Sequence, residues 1–265
     1  MIAFGKLAAY TNRMEAMRML TEERQQRILT ELDRCGVVKL RDLVTLLDAS
    51  ESTVRRDLAE LEEAGRLRRV HGGAQRRGLA DEPGVSEKAF AHAAAKAAIA
   101  QVASTYVKAG MQVFLDAGTS TAQVIPLLAG RDVTVVTSGV DNAKLLADTG
   151  LTAIMLGGRI KPTTLAIVGA EAVTTLQRYR FDLAILGTNG IDENGATTPD
   201  PEEAATKRLA IARADHALIL ADASKFGQRS FAQFAELPQA QLITESIAAL
   251  PAQYRPLPNL KEAQP

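Results

Sequence analysis

Residues 50–58 read Ser50-Glu51-Ser52-Thr53-Val54-Arg55-Arg56-Asp57-Leu58, and this stretch decides the fold of the amino-terminal part. Ser50 suits a helix N-cap, because its hydroxyl can accept from a backbone N–H that the first turn leaves unpaired. Val54, Leu58 and Leu61 give the helix that follows one apolar stripe, with Ser52, Thr53, Arg55 and Arg56 on the other side. Upstream, Leu40, Leu43, Val44 and Leu47 stand at i, i+3, i+4 and i+7, which predicts a second amphipathic helix. Asp48-Ala49-Ser50 joins the two as a tight turn. A first helix carries Ile28, Leu29 and Leu32 on one face and stops at Gly36. Downstream, Gly65 is expected to end the third helix. Arg66-Leu67-Arg68-Arg69-Val70-His71-Gly72-Gly73 then alternates like a strand and turns at the glycine pair, as a basic wing. The pattern is a helix-turn-helix at about residues 38–57, within a domain spanning 21–76.

The start of the second helix of such a motif enters the major groove of double-stranded DNA. Ser50, Ser52, Thr53, Arg55 and Arg56 are therefore the candidate contacts on the helix, and Arg68, Arg69, His71 and Gly72 those on the wing. Arginine fits because its planar fork donates two hydrogen bonds at once to guanine or phosphate. The competing reading is a structural three-helix module with a solvated charged face. Local charge weighs against it: Ser52 to Gly78 holds seven arginines and four acids, a net of +3. Over all 265 residues, Lys+Arg 31 balance Asp+Glu 31. A broadly basic, non-specific binder is excluded by that balance, whereas a regulator with positive charge placed only at its DNA face is not.

The run from Glu23-Arg24-Gln25 through Arg55-Arg56-Asp57-Leu58 to Val70-His71-Gly72-Gly73-Ala74 resembles the DeoR family of bacterial transcription regulators. Two departures are visible. Asp48 stands where the family usually has Gly, and Ala49 replaces a larger apolar residue.

Residues 76–88 (RRGLADEPGVSEK) carry Gly, Pro and charge with little periodicity, so 77–88 reads as a linker. Beyond it, an Ala-rich helix is expected from Ala89 to Tyr106. Short apolar runs follow at Gln112–Leu115, Val133–Thr137, Ala153–Leu156, Leu183–Leu186 and Ala217–Leu220, with helical patterns between them. Strands alternating with helices predict a mainly parallel sheet covered on both faces, over 89–250. The fold class is α/β, a winged helix-turn-helix domain followed by a mainly parallel α/β domain. Residues 251–265 are Pro-rich and read as a loose tail. Residues 1–20 read as a frayed extension, or as the product of a start codon upstream of Met14, Met17 or Met19.

In an open parallel sheet the carboxyl ends of the strands form the ligand crevice. Here those ends are small, hydroxylated or Gly-rich: Asp116, Gly118, Thr119, Ser120 and Thr121; Thr137 and Ser138; Gly157 and Gly158; Asn189 and Gly190; and Asp222 to Lys225. Glycines admit close backbone approach, helix N-termini favour anions, and Lys225 adds a point charge. Such a set suits a small phosphorylated or polyhydroxylated ligand. Glu203 and Lys207, spaced i, i+4, are either ligand contacts or a helix-surface ion pair. The order of these motifs across residues 89–245 also resembles the DeoR-family sensor domain. That resemblance implies a sugar phosphate as effector and a fold related to ribose-5-phosphate isomerase A. Ala95 departs from it, where the family often has Glu just before the lysine equivalent to Lys96.

An isomerase would need a base beside the substrate carbonyl. At the strand end where related isomerases carry carboxylates, this chain has Leu186-Gly187-Thr188-Asn189, which supplies none. No enzyme is expected, and the alternative is an isomerase-like enzyme with an accessory DNA-binding domain. A second alternative is an architectural DNA-binding protein whose α/β domain only oligomerises. Neither a dinucleotide nor a P-loop fingerprint occurs, so no cofactor is expected. His71, His92 and His216 fall in unlike contexts, and no metal site is argued; Asp182 and Asp192 read as solvated caps. The single Cys35 is expected to be buried as a small apolar residue and cannot form an internal disulfide. With no signal-peptide core and no apolar run of membrane-spanning length, the expectation is a cytoplasmic protein without a membrane partner. Regulators that read repeated half-sites are paired, so a homo-oligomer, dimer or tetramer, is expected.

Overall fold

A computed structural model describes residues 20–263 apart from 64, 65, 77, 79–81 and 83, and the chain divides into two compact units between Gly78 and Leu79. The expected extension and the Gly65 helix stop lie outside the described residues, apart from Leu20.

In the first unit the apolar spacings become helices α1 (Thr21–Cys35), α2 (Leu40–Leu47) and α3 (Glu51–Glu63). Ile28, Leu32, Leu40, Leu43, Leu47, Val54, Leu58 and Leu61 are all buried in one cluster, as the stripes require. Gly36 ends α1 with φ 73, its N–H bonded to the Leu32 carbonyl. Asp48 takes the left-handed conformation (φ 46, ψ 45) that its short polar side chain tolerates. Strands β1 (Val37–Lys39), β2 (Leu67–Val70) and β3 (Gly73–Arg76) form an antiparallel sheet in the order β1-β3-β2. The wing turns at His71-Gly72 rather than at the glycine pair. Gly73 is instead inside β3, where a Cβ would lie 2.0 Å from the Val38 carbonyl oxygen. Cys35 is exposed, not buried: it sits in the last turn of α1, beyond the Leu32 edge of the core, beside Glu31.

The second unit is built on a seven-stranded sheet whose neighbouring strands are all parallel. In chain order its strands are β4 (Gln112–Leu115), β5 (Thr134–Thr137), β6 (Thr152–Met155), β9 (Phe181–Gly187), β12 (Ala214–Leu220), β14 (Gln241–Thr244) and β15 (Leu260–Glu262). The spatial order is β15-β14-β12-β9-β4-β5-β6. Side chains alternate across it. Val113, Leu115, Leu183 and Ile185 pack with Ile99 and Ala103 of α5 (Ala93–Thr105) on one face. Phe114, Ala184 and Leu186 pack on the other with α8 (Ala170–Leu176) and α9 (Pro201–Ala212). The remaining helices are α4 (Val85–Phe90), α6 (Thr119–Ala122) and α7 (Val140–Asp148). Smaller antiparallel pairings join β7 (Arg159–Lys161) to β8 (Ala166–Val168), and β10 (Gly190–Ile191) to β11 (Ala196–Thr198) and β13 (Ala232–Ala235).

Three expectations are corrected. The stretch read as a linker is in part α4, and its Glu82 side chain is only 5% exposed, because ionic contacts rather than an apolar stripe hold it. The expected helix Ala89–Tyr106 is broken at His92, which adopts φ 53, so α4 and α5 are separate. The carboxy-terminal stretch is not loose, for β15 adds the last strand to the sheet and Tyr254 is buried against Phe226. Asn259 anchors that end by donating to the Leu237 and Ala240 carbonyls, 2.6 Å each. Among the described residues, no helix is long and apolar enough to cross a membrane.

Candidate functional site

The candidate DNA-reading surface starts at the turn before α3. Ser50 caps the helix, its Oγ accepting the Thr53 N–H at 3.2 Å, and lies 2.9 and 2.8 Å from the Ser52 and Thr53 hydroxyls. Arg55 and Arg56 project into solvent and, among the described residues, are held only by neighbours one helical turn away, Glu51 (2.6 Å) and Glu60 (3.0 Å). Such exposed i, i+4 pairs are worth a few tenths of a kcal/mol, about 0.3–0.5, so a phosphate or a base edge can take their place. Arg68, Arg69, His71 and Gly72 are exposed along the wing. The Arg69 N–H is tied to Glu62 of α3 at 2.7 Å. The acid inside the motif has a different part. Asp57 is buried and takes a two-pronged bond from Arg24 of α1, 2.7 and 3.0 Å, which fixes the angle at which α3 is presented. In the sequence, Asp57 enters only the local charge count and the family motif.

In the second unit the five strand-end loops fall at one end of the sheet, since the strands that precede them run parallel. Several of the predicted effector residues knit this end together. Thr121 Oγ1 and Asn142 Nδ2 donate to the Asp116 carbonyl at 2.7 and 2.8 Å. Thr137 Oγ1 donates to the Leu115 carbonyl at 2.7 Å, and Ser138 Oγ accepts the Ala117 N–H at 3.1 Å. The Asp116 carboxylate accepts from Lys207 Nζ and from the Gly187 N–H, and Lys207 also donates to the Gly187 carbonyl at 3.0 Å. Burial pushes the Asp116 carboxyl up, against the pull of Lys207. Gly190 accepts through its carbonyl from Thr188 and Thr197. Gly157 and Gly158 are exposed after β6, and the next residue, Arg159, pairs with Glu202.

Glu203 and Lys207 do not pair with each other. While Lys207 turns to Asp116, Glu203 accepts from Lys161 Nζ (3.1 Å), Thr164 Oγ1 (2.6 Å) and Thr198 Oγ1 (3.3 Å). Lys161 is the centre of an acidic cluster, bonded also to Glu82 (2.5 Å) and Asp200 (3.0 Å), and these three carboxylates raise its pKa despite its burial. Asn189 reaches the same cluster, donating to Glu82 at 3.2 Å and accepting from Thr198 at 3.2 Å.

Beside it lies a basic cluster. The Lys88 carbonyl accepts both from Lys96 Nζ and from Thr119 Oγ1, the latter at 3.4 Å, which brings α4, α5 and α6 together. Burial pushes Lys96 down to about 8; Asp222 pulls it up, while Lys225 and Lys88 press it further down. Lys225 makes no ion pair among the described residues, and Asp222 keeps one carboxylate oxygen, Oδ2, buried without a partner there. Glu82, Lys88, Lys161 and Asp200 were not singled out in the sequence, where no motif marks them. Asp192 is buried rather than solvated, accepting the Asn194 and Gly195 N–H groups of its own turn. No group of three His, Cys, Asp or Glu able to hold a metal occurs among the described residues.

A winged helix-turn-helix unit followed by a parallel α/β unit with charged strand ends defines a class of two-part DNA-binding regulators. The family model for the DeoR-like helix-turn-helix domain matches residues 24–77, and that for the DeoR C terminal sensor domain matches 91–246. This chain belongs to the DeoR family of DNA-binding transcriptional regulators. It is 45% identical over 231 residues to the uncharacterized HTH-type transcriptional regulator FruR of Bacillus subtilis, covering 85% of this chain and 91% of that one. It is 33% identical over 233 residues to the HTH-type transcriptional repressor GlcR of the same organism, covering 85% and 88%. Among solved structures, ribose 5-phosphate isomerase A from Methanocaldococcus jannaschii is similar at a TM-score of 0.38, with 18% identity over 49% of this chain and 53% of that one.

Proposed function

We propose that this regulator represses carbohydrate-metabolism genes and is controlled by a phosphorylated sugar bound at the strand ends of the α/β unit. One observation carries the reading: the Lys88 carbonyl ties Lys96 and Thr119 together at the strand ends, and Lys225, in the Asp222 loop of the same end, has no anionic partner among the described residues. Ammonium groups such as those of Lys96 and Lys225 stabilise a bound dianion by charge-assisted hydrogen bonds. The neighbouring acceptors, Glu203, Asp200, Asn189 and the unpaired Asp222 oxygen, suit the hydroxyls of the same molecule. Phosphate and polyol are thus served by adjacent halves of one crevice. A ligand that prefers one arrangement of this unit shifts its population, and paired DNA-binding heads in a homo-oligomer convert that shift into a change of operator affinity. A thermal-shift screen tests the reading. Phosphorylated sugars should raise the melting temperature at millimolar concentration where their neutral parents do not, as binding to the folded state requires. No shift with any phosphorylated sugar would favour a purely architectural α/β unit.

A further inference from the structure

The carboxylate of Glu82 occupies the junction of the two charge clusters. It lies four residues after Gly78, outside any helix or strand, yet its side chain is almost fully buried. Its three partners are the ammonium groups of Lys88 (2.6 Å) and Lys161 (2.5 Å) and the side-chain amide of Asn189 (3.2 Å). Two ammonium groups and an amide are what an anionic ligand with hydroxyls would seek in the same place. We propose that Glu82 is an internal occupant of the effector crevice, and that an anionic effector competes with it for Lys88 and Asn189 and so frees the segment that leads into the α/β unit. The inference rests on the proposed function, since it names how that same site is regulated.

The two lysines make the exchange asymmetric. Lys161 keeps Asp200 and Glu203 when Glu82 leaves, so it is never uncompensated. Among the described residues Lys88 has no other ion-pair partner than Glu82, and it is largely buried. Removing Glu82 with nothing in its place strands that charge in a poorly hydrated site, whereas an incoming anion replaces it with little net cost. An empty crevice therefore retains Glu82, and a filled one can release it. Burial works to raise the Glu82 carboxyl, but Lys88 and Lys161 hold it below the usual carboxylate range, so it competes as an anion at neutral pH. The rest of the segment is tied to the same crevice. The Val85 N–H donates to the Thr163 carbonyl at 3.1 Å, and the Lys88 carbonyl accepts from Lys96 and Thr119. Losing Glu82 thus loosens a strap whose remaining fastenings line the ligand site. By linkage, whatever the ligand does to the strap, the strap does to ligand affinity.

The test compares the full-length wild type with Glu82→Gln, using inorganic phosphate, ribose 5-phosphate and fructose 6-phosphate as probes. Calorimetry should show the variant binding at least one probe about tenfold more tightly than wild type, because the competing carboxylate is gone. Hydrogen–deuterium exchange supplies a readout that needs no variant: in the wild type, the bound probe should speed exchange across 82–90 while protecting 116–121. Equal or weaker binding by the variant, or slower exchange across 82–90 on binding, would overturn the inference and leave the proposed function standing. Binding of no probe by either protein would overturn both.

Discussion

The start of α3 and the crevice at the strand ends are both built from paired charges, but they differ in what surrounds the pairs. Arg55 and Glu51 have side chains 55% and 61% exposed, whereas those of Lys207 and Asp116 are 4% and 5% exposed. Water has already screened the first pair, so trading Glu51 for a DNA phosphate changes little else in the protein. The second pair has lost its water, and the charge of each partner is offset by the opposite charge of the other, with Gly187 bonded to both. The proposed DNA face thus keeps its charges loosely held. The strand ends, the proposed effector site, keep theirs interlocked.

The largest consequence of that difference is for Asp116. Asp116→Asn should leave Lys207 buried and uncompensated and cost about 3–5 kcal/mol in denaturant unfolding. Adding Lys207→Met to it should recover much of the loss. If the single variant unfolds like the wild type, the crevice pair is no more interlocked than the surface pair, and the contrast fails.

Lys96 comes next. Its pKa of about 8 means that it is charged at pH 7 and largely neutral at pH 9. If it helps hold a phosphate, affinity for a bound sugar phosphate should fall by about tenfold between those values, beyond any change in the ligand itself. Lys96→Met should weaken binding at pH 7 and flatten the pH profile. The sign for stability is opposite: the unfolded chain holds the proton up to its ordinary value of 10.5. In the free protein, this residue's unfavourable contribution is therefore fully present below about pH 8 and is relieved as pH rises from there towards 10.5. An unchanged affinity profile in Lys96→Met would remove this lysine from the site.

The smallest effect belongs to the surface. Glu51→Gln should change stability by no more than about 0.5 kcal/mol and tighten DNA binding slightly by freeing Arg55. A loss of several kcal/mol would mean that the exposed pair is a structural fastening after all.

The same contrast explains what could be read from the chain in advance. The helix-turn-helix was legible because its determinants are local: a capping Ser50, a left-handed Asp48, and stripes at i, i+3 and i+4 whose partners lie within a few turns. The central strands were legible as apolar runs, although β9 and β12 extend beyond them to Phe181 and Ala214 because their ends gain hydrogen bonds from neighbours. By contrast, β15 (Leu-Lys-Glu) has no strand pattern of its own and exists because β14 offers it an open edge. Glu82 was invisible for a related reason. Its meaning lies in Lys161 and Asn189, 79 and 107 residues away, and no local spacing records such a meeting. Glu203 and Lys207 misled in the opposite way, since their helical spacing suggests a pair and the fold gives each a different partner.

The proposed role of α3 as the helix that reads DNA sequence is tested most directly on DNA itself. Wild-type protein can be used to select duplexes from a random-sequence pool, and its affinity for the winner compared with that for a scrambled duplex at fixed physiological salt. Discrimination of about a thousandfold or more is expected. The Arg55→Ala, Arg56→Ala double variant, still folded by its melting curve, should lose at least about tenfold in affinity for the selected duplex and relax its preference at the contacted positions. If the double variant selects the same sequence with the same affinity, α3 is not the reading helix, and the claim is wrong.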